Sequence, residues 1–128
     1  MSNPADIHVL IVEDDPVMQM VVQKKLDAEG YRHTTVGNGV QAVEALQSNR
    51  FTCVLMDISM PEQDGLDAIR WIRDLDDAYT RELPVFALTT YSTADHTEEI
   101  LQAGMNGHLV KPFDFIKFKE LLAKFVTL

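Results

Sequence analysis

Cysteine is almost absent from this chain of 128 residues, which contains only Cys53. One cysteine cannot form an intrachain disulfide, so the fold must be stable without one, as is usual in a reducing compartment. Cys53 lies inside an apolar run that continues through Val54, Leu55 and Met56. We therefore interpret it as a small core residue rather than as a reactive thiol.

Basic residues are scarce as well, since 11 Lys and Arg face 20 Asp and Glu, for a formal net charge of -9. This charge argues against nonspecific binding to nucleic acids and to anionic membranes, but it leaves protein partners open. No apolar stretch approaches the roughly 18 residues that span a bilayer. Met1 to Asp6 lack the basic and then apolar pattern of a signal peptide. We expect residues 1–6 to be flexible, and the protein to be soluble and cytoplasmic.

The sequence does contain a regular alternation of apolar runs and amphipathic segments. The predicted strands are His8–Val12, Tyr31–Val36 (an edge strand), Phe51–Met56 (the central strand), Leu83–Leu88 and His108–Val110. Five amphipathic helices alternate with them. This alternation predicts one α/β domain over residues 7–128, with a parallel sheet covered by helices on both faces.

Local signals refine the helices. Asp15 can cap the first helix, which begins at Pro16 because proline lacks only an N–H that is unpaired at that position anyway. The fourth helix, Ser92–Ala103, has few apolar anchors and is expected to be the most mobile element. Trp71 is expected in the core, and Asp74–Glu82 is predicted to be an irregular surface excursion.

The residues whose side chains are suited to binding or catalysis all lie where a predicted strand ends. Glu13 and Asp14 end the first strand, Asp57 the third, Thr89 the fourth and Lys111 the fifth. Ligands of parallel α/β sheets bind outside this carboxyl edge. Three neighbouring carboxylates repel one another, and a hard divalent cation such as Mg²⁺ relieves that repulsion. A carboxylate beside the metal can attack phosphorus, while an ammonium and a hydroxyl hold the phosphoryl oxygens.

From Ile7 to about Val126, the chain resembles a response-regulator receiver domain. The resemblance rests on an ordered set of motifs: Glu13-Asp14, Asp57 followed by Met60-Pro61 and Asp64-Gly65, Thr89, and Lys111-Pro112. It implies a flavodoxin-like (βα)5 sandwich with the strand order 2-1-3-4-5. It also implies that Asp57 accepts a phosphoryl group from a histidine kinase or histidine phosphotransfer protein. Such a domain is not an enzyme in the usual sense, because it catalyses only its own phosphorylation and dephosphorylation.

The same resemblance implies a metal site and a switch. Asp14, Asp57 and the backbone carbonyl of Ser59 are expected to ligate Mg²⁺, with Glu13 acting through water. A cis peptide in Lys111-Pro112 is expected to aim the lysine at the phosphate, since X–Pro bonds adopt the cis form at low cost. Phosphorylation is expected to switch the face formed by the fourth helix, the fifth strand and the fifth helix. A downstream protein target and a weak homodimer are left open.

The chain departs from receivers at the switch. His108 stands three residues before Lys111, where receivers usually have Tyr or Phe, and that ring typically swings inward as the residue matching Thr89 moves toward the phosphate. His108 either moves inward less favourably or stays outside as a polar surface residue. Ser59 and Tyr91 are expected to flank the route of an attacking water, and the bulky Tyr91 is predicted to slow loss of the phosphoryl group.

Three other functions compete with this one. A haloacid-dehalogenase phosphatase also uses a strand-end Asp and Mg²⁺, but its nucleophile belongs at the position of Glu13. A flavodoxin needs a Ser/Thr/Gly-rich phosphate loop after the first strand, where this chain has acids and a proline. A degenerate receiver that only binds partners is disfavoured by the complete acidic pocket. The run Leu88-Thr89-Thr90, the Asp74–Glu82 excursion and the run Ala103-Gly104-Met105-Asn106 are similar to receivers of hybrid histidine kinases. Whether the domain stands alone or belongs to such a kinase is open.

Overall fold

The computed structural model of the chain describes residues 3–58, 65–75, 77–90 and 94–128. Five parallel strands form one sheet in the order β2-β1-β3-β4-β5, which confirms the predicted α/β fold and its strand order. The central strands read as continuous apolar runs because both of their faces are buried, whereas the edge strand β2 is more polar. The strands are β1 His8–Val12, β2 Arg32–Val36, β3 Cys53–Asp57, β4 Val85–Thr89 and β5 Gly107–Val110.

The pairing register brings the carboxyl ends of the strands to one edge of the sheet. Val12 pairs with Met56, Asp57 with Leu88, and Thr89 with Val110. Consequently the turn after β1, the last residues of β3 and β4, and the segment after β5 lie side by side.

Six α-helices within the described residues connect and cover the strands. Asp15 caps α1, since its Oδ1 accepts a hydrogen bond from the Val17 N–H at 3.0 Å, and Pro16 is the first helical residue, as predicted. Residues 92 and 93 of the predicted fourth helix lie outside the described residues. None of the helices within the described parts of the chain has the length and hydropathy needed to cross a bilayer. The helices are α1 Pro16–Ala28, α2 Gly39–Ser48, α3 Gly65–Asp74, α4 Ala78–Glu82, α5 Ala94–Gln102 and α6 Phe115–Leu122.

The short helix α4 corrects the prediction of an irregular excursion over Asp74–Glu82. Asp77 caps α4 by accepting from the Tyr79 N–H at 2.9 Å. The Tyr79 hydroxyl donates to the Phe51 carbonyl at 3.1 Å and accepts from the Phe51 N–H, which fixes α4 beside the amino end of β3. Because of α4, the predicted fourth and fifth helices are α5 and α6.

Side chains of the central strands alternate between two apolar layers. In β1, Leu10 and Val12 join residues of α2, α3 and α5, whereas Val9 and Ile11 join residues of α1 and α6. Each fully buried side chain of this kind stabilises the fold by roughly 1.5–3 kcal/mol. Cys53 belongs to the second layer and is fully buried, and burial raises the pKa of its thiol. It is a core residue, as the sequence predicted.

The prediction that Trp71 lies in the core is wrong. Ala68, Ile69 and Ile72 form the buried face of α3, whereas Trp71 is 39% exposed. Its ring lies over Gly39, where an added Cβ would come within 2.7 Å of the Ala68 Cβ and 3.2 Å of the Trp71 ring. Glycine at this position therefore permits the close approach of α2 and α3.

Arg73 fastens α3 to the amino ends of β4 and β5. Its guanidinium donates to the carbonyls of Thr80 and Leu83, each at 2.8 Å. It also donates to the Gly104 carbonyl at 2.8 Å and to Asn106 Oδ1 at 2.9 Å. Gly104 has a φ of +107°, which glycine adopts without strain. The guanidinium of Arg73 thus joins α3, α4 and the segments before β4 and β5 at the amino ends of the strands.

Candidate functional site

Three carboxylates gather at the carboxyl edge of the sheet. Glu13 and Asp14 follow β1, Asp57 ends β3, and one ligand oxygen from each lies within 4.8 Å of the other two. Glu13 and Asp57 are buried, at 1% and 3% exposure, whereas Asp14 is exposed. The cluster is therefore open to solvent on the Asp14 side, whereas the carboxyl groups of Glu13 and Asp57 are shielded from it.

Lys111 brings a positive charge to these carboxylates. Its Nζ lies 3.2 Å from Asp57 Oδ2 and 3.7 Å from Glu13 Oε2. The Lys111 N–H donates to the Thr89 carbonyl at 2.8 Å, and the Lys111–Pro112 peptide is cis, as expected. The Lys25 ammonium of α1 donates to the Phe113 carbonyl. The segment that carries Lys111 is thus bound to both β4 and α1.

The acidic turn after β1 is fixed by hydrogen bonds to its backbone and its side chain. The Glu13 N–H donates to the Val36 carbonyl at 3.0 Å, which continues the pairing of β1 with β2. The Gln19 side-chain amide of α1 donates to the Glu13 carbonyl at 2.6 Å. The Asp15 N–H donates to Glu13 Oε1 at 3.1 Å. Both the backbone and the carboxylate of Glu13 therefore have a defined orientation.

The surroundings of Glu13 favour its protonated form. Burial and a hydrogen bond with Asp57 raise the pKa of Glu13 to about 8, although the Asp15 N–H and Lys111 act in the opposite direction. When Glu13 is ionised, its buried Oε2 accepts no hydrogen bond from the described residues. Carboxylate oxygens are the ligands that Mg²⁺ prefers, and a cation relieves the repulsion among the carboxylates. The residues at this site therefore fit a magnesium ion.

The remaining predicted site residues differ in how the structure places them. Thr89 is 1% exposed and lies one residue beyond the β4 partner of Asp57. His108 is half-buried in β5, opposite Ala87 of β4. Other predicted residues lie outside the described part of the chain: Ser59, Met60, Pro61, Asp64 and Tyr91.

Sequence reasoning missed two side chains of α1 that hydrogen-bond to the backbone beside the site residues, Gln19 and Lys25. Both donate to backbone carbonyls, and a carbonyl partner leaves no trace in the sequence. The one available signal was position, because a helix that begins at Pro16 turns the side chain of Gln19 back toward the end of β1.

A parallel sheet of order 2-1-3-4-5, with three carboxylates and a lysine at its carboxyl edge, is the arrangement of receiver domains, which are signalling phosphoacceptors rather than conventional enzymes. Comparison with known proteins agrees. Residues 9–123 match the family described as response regulator receiver domain, and the chain belongs to this family. The phosphatase and flavodoxin alternatives are thereby set aside.

Individual relatives are receivers from several settings. The chain is 39% identical to the receiver domain of the sensor histidine kinase PA1611 of Pseudomonas aeruginosa, whose crystal structure has a magnesium ion in the active-site cleft; the TM-score is 0.81 over 93% of this chain and 96% of that one. It is 35% identical to sensor protein GacS of Pseudomonas syringae pv. syringae over 94% of this chain, but it spans only 13% of GacS. It is 30% identical to the polar-differentiation response regulator DivK of Brucella anthropi, over 92% of this chain and 94% of DivK.

Proposed function

We propose that Asp57 of this receiver domain accepts a phosphoryl group from the phosphohistidine of a histidine kinase or a histidine phosphotransfer protein. The observation that carries the proposal is the 3.2 Å separation between Lys111 Nζ and Asp57 Oδ2 within a cluster of three carboxylates. The histidine kinases among the relatives support a kinase-linked source of the phosphoryl group.

The transfer needs a nucleophile and groups that stabilise the phosphoryl oxygens. A carboxylate oxygen of Asp57 forms a bond to phosphorus while the bond from phosphorus to the donor imidazole nitrogen breaks, and that nitrogen keeps the electron pair. The Lys111 ammonium neutralises negative charge on one phosphoryl oxygen, and the Thr89 hydroxyl donates a hydrogen bond to another. Ionised Asp57 is already the nucleophile, so no general base is required.

The metal-holding residues are the carboxylates of Asp14 and Asp57 and the backbone carbonyl of Ser59, with Glu13 acting through water. Bound there, Mg²⁺ supplies positive charge to the phosphoryl oxygens. The donor set supports this assignment, because the buried Glu13 Oε2 accepts no hydrogen bond from the described residues. So does the magnesium ion in the active-site cleft of the PA1611 receiver.

The output surface in this proposal is the face formed by α5, β5 and α6, with Thr89 and His108 as the switch residues. The exposed apolar side chains Leu101 of α5 and Val110 of β5, at 52% and 41%, give that face contact area for a downstream partner. Ser59 and Tyr91 act on the lifetime of the phosphorylated state by controlling the approach of water to the phosphorus.

The donor protein docks on α1 beside the acidic turn. Val17 and Met20 are 69% and 53% exposed within the first two turns of α1, directly after Asp14 and Asp15. Apolar side chains that project next to the acceptor carboxylate provide a dry contact for a donor helix, which brings the phosphohistidine within reach.

The cytoplasmic location stays a prediction from the sequence.

The decisive experiment incubates the protein with acetyl phosphate, with and without Mg²⁺, and follows its intact mass. We expect a gain of one phosphoryl group that requires Mg²⁺ and is absent from Asp57→Asn. Asp74→Asn is the matched control, because Asp74 is an exposed carboxylate at the end of α3. It should leave phosphorylation unchanged.

Absence of any mass gain in the wild-type protein, at any Mg²⁺ concentration, would favour the degenerate receiver that serves only as a binding platform. Phosphorylation that persists in Asp57→Asn would move the acceptor to another residue. If the phosphorylated and unmodified forms bind a partner equally well, the switch assignment fails, and His108 is the first residue to replace with Tyr.

A further inference from the structure

Gln19 is a half-buried residue of α1 that points back at the site. Its side-chain amide donates to the Glu13 carbonyl at 2.6 Å, while its backbone N–H donates to the Asp15 carbonyl at 2.9 Å. Gln19 thus binds the turn formed by residues 13–15 at two points. The bond to Asp15 belongs to α1, whereas the side-chain bond to Glu13 is not part of regular secondary structure.

The Glu13 carbonyl matters because the peptide unit that contains it joins Glu13 to Asp14, and both carboxylates belong to the proposed metal site. The N–H of Glu13 is held by Val36 at 3.0 Å, and its carboxylate by the Asp15 N–H at 3.1 Å. Among the described residues, only the Gln19 amide forms a hydrogen bond with the peptide unit between Glu13 and Asp14. Rotation of that peptide moves the Asp14 carboxylate relative to the other two.

We propose that Gln19 is a positioning residue for the metal site: by holding the Glu13 carbonyl, it keeps the carboxylates of Glu13 and Asp14 arranged for one divalent cation. The inference rests on the proposed function, because it assumes that these carboxylates bind Mg²⁺. Gln19 itself contacts neither the metal nor the phosphoryl group.

Helix α1 supplies its own control. Gln23 lies one turn further along the same face, and its side-chain amide donates to Thr35 Oγ1 of β2 at 2.7 Å. Both glutamines are half-buried and both fasten α1 to the sheet, but only the bond of Gln19 reaches the acidic turn. Replacing either by Met keeps the side-chain length and removes the donor.

The experiment titrates Mg²⁺ alone into wild type, Gln19→Met, Gln19→Ala and Gln23→Met by calorimetry, without a phosphodonor. Hydrogen-bond partners of metal-site residues typically alter metal affinity 10- to 100-fold, and we expect the lower end, about tenfold weaker binding, because Gln19 acts through the backbone. Gln23→Met should bind Mg²⁺ as the wild type does. The rate of phosphorylation of Gln23→Met by acetyl phosphate should follow that of the wild type at every Mg²⁺ concentration.

Thermal unfolding in EDTA separates positioning from a general loss of stability. Gln19→Met and Gln23→Met should lower the melting temperature by similar amounts, while only the former weakens Mg²⁺ binding. Equal Mg²⁺ affinities of Gln19→Met and the wild type overturn the inference, and so does an equal weakening in Gln23→Met. If the wild type binds no Mg²⁺, the proposed metal site is wrong and the role of Gln19 falls with it.

Discussion

Glu13 is a carboxyl group of the site whose pKa lies far above its ordinary value. In the metal-free protein its pKa is raised to about 8, mainly by burial and by Asp57. The folded protein therefore keeps a proton on Glu13 at pH values where the unfolded chain has released it. If Mg²⁺ binds as proposed, its charge favours the ionised form of Glu13, and we expect metal binding to release this proton.

The raised pKa of Glu13 predicts a pH dependence of stability with a definite sign. Between pH 4.5, the ordinary pKa of Glu13, and pH 8 the folded state binds more protons than the unfolded state, so the contribution of Glu13 to the free energy of unfolding falls as pH rises. The slope is at most about 1.4 kcal/mol per pH unit. Denaturation with urea in EDTA at pH 6, 7 and 8 should show a flatter decline for Glu13→Gln than for the wild type.

Glu44→Gln on the exposed face of α2 is the control, since it removes a carboxylate from solvent rather than from the site. Its stability should follow the wild-type curve. Parallel curves for Glu13→Gln and the wild type would mean that Glu13 ionises normally in the folded protein.

A second prediction at the scale of one residue concerns Tyr91. Its position two residues beyond Thr89 predicts a bulky side chain beside the path of water to the phosphorylated Asp57. Tyr91→Ala should therefore shorten the half-life of the phosphorylated protein, because water then reaches the phosphorus more easily. Decay of the phosphorylated mass after removal of acetyl phosphate gives the half-life. An unchanged half-life would refute the assignment, and Tyr91→Phe should retain the wild-type value.

Helix α3 carries two arginines three residues apart with very different surroundings. Arg73 donates to carbonyls of α4, of the segment before β4 and of the turn before β5, whereas Arg70 is 65% exposed and meets only Asp67, at 3.5 Å, among the described residues. Burial lowers the pKa of Arg73, but the surrounding oxygens stabilise its charge.

Arg73→Ala should therefore destabilise the protein by roughly 3 kcal/mol, because several buried carbonyls lose their donor at once. Arg70→Ala should change the free energy of unfolding by less than about 0.5 kcal/mol, as is usual for exposed ion pairs. Urea denaturation of both variants provides the comparison. Similar losses in the two variants would contradict the role given to Arg73.

Elements defined by their own residues were predictable from the sequence, and those defined by distant backbone were not. Continuous apolar runs gave β1, β3 and β4 correctly, and Asp15 with Pro16 gave the start of α1. Helix α4 was missed because Tyr79 is held by the backbone of Phe51, far away in the sequence. Trp71 was misassigned because its exposure depends on Gly39 of another helix.

The candidate site divides in the same way. Glu13, Asp14, Asp57 and Lys111 could be predicted to meet, because the carboxyl ends of parallel strands share one edge of the sheet. The supporting bonds from Gln19 and Lys25 could not, since both end on carbonyl oxygens, which every residue has.

On the scale of the whole molecule, the candidate site and the side chains that fasten helices α3 and α4 to the sheet lie at opposite ends of the strands. The carboxylates and Lys111 lie at the carboxyl edge, while Arg73 and Tyr79 bind backbone groups at the amino edge. Substitutions at the amino edge should reduce stability with little effect on the phosphorylation rate of the folded fraction. Substitutions of the clustered carboxylates should instead lower the phosphorylation rate, because these groups form the proposed acceptor and metal site.

The sole cysteine, buried in the central strand, can report how often the folded protein opens, because its thiol reacts only in the open state. Cys53 has no exposed surface and lies in the layer packed against α1 and α6, so a thiol reagent can modify it only after the fold opens around it. The rate of modification under native conditions should be slow and rise steeply with urea, and its dependence on reagent concentration separates the opening rate from the opening equilibrium. Mg²⁺ and phosphorylation should each slow the modification, which would report on how ligation at the edge of the sheet reaches its centre.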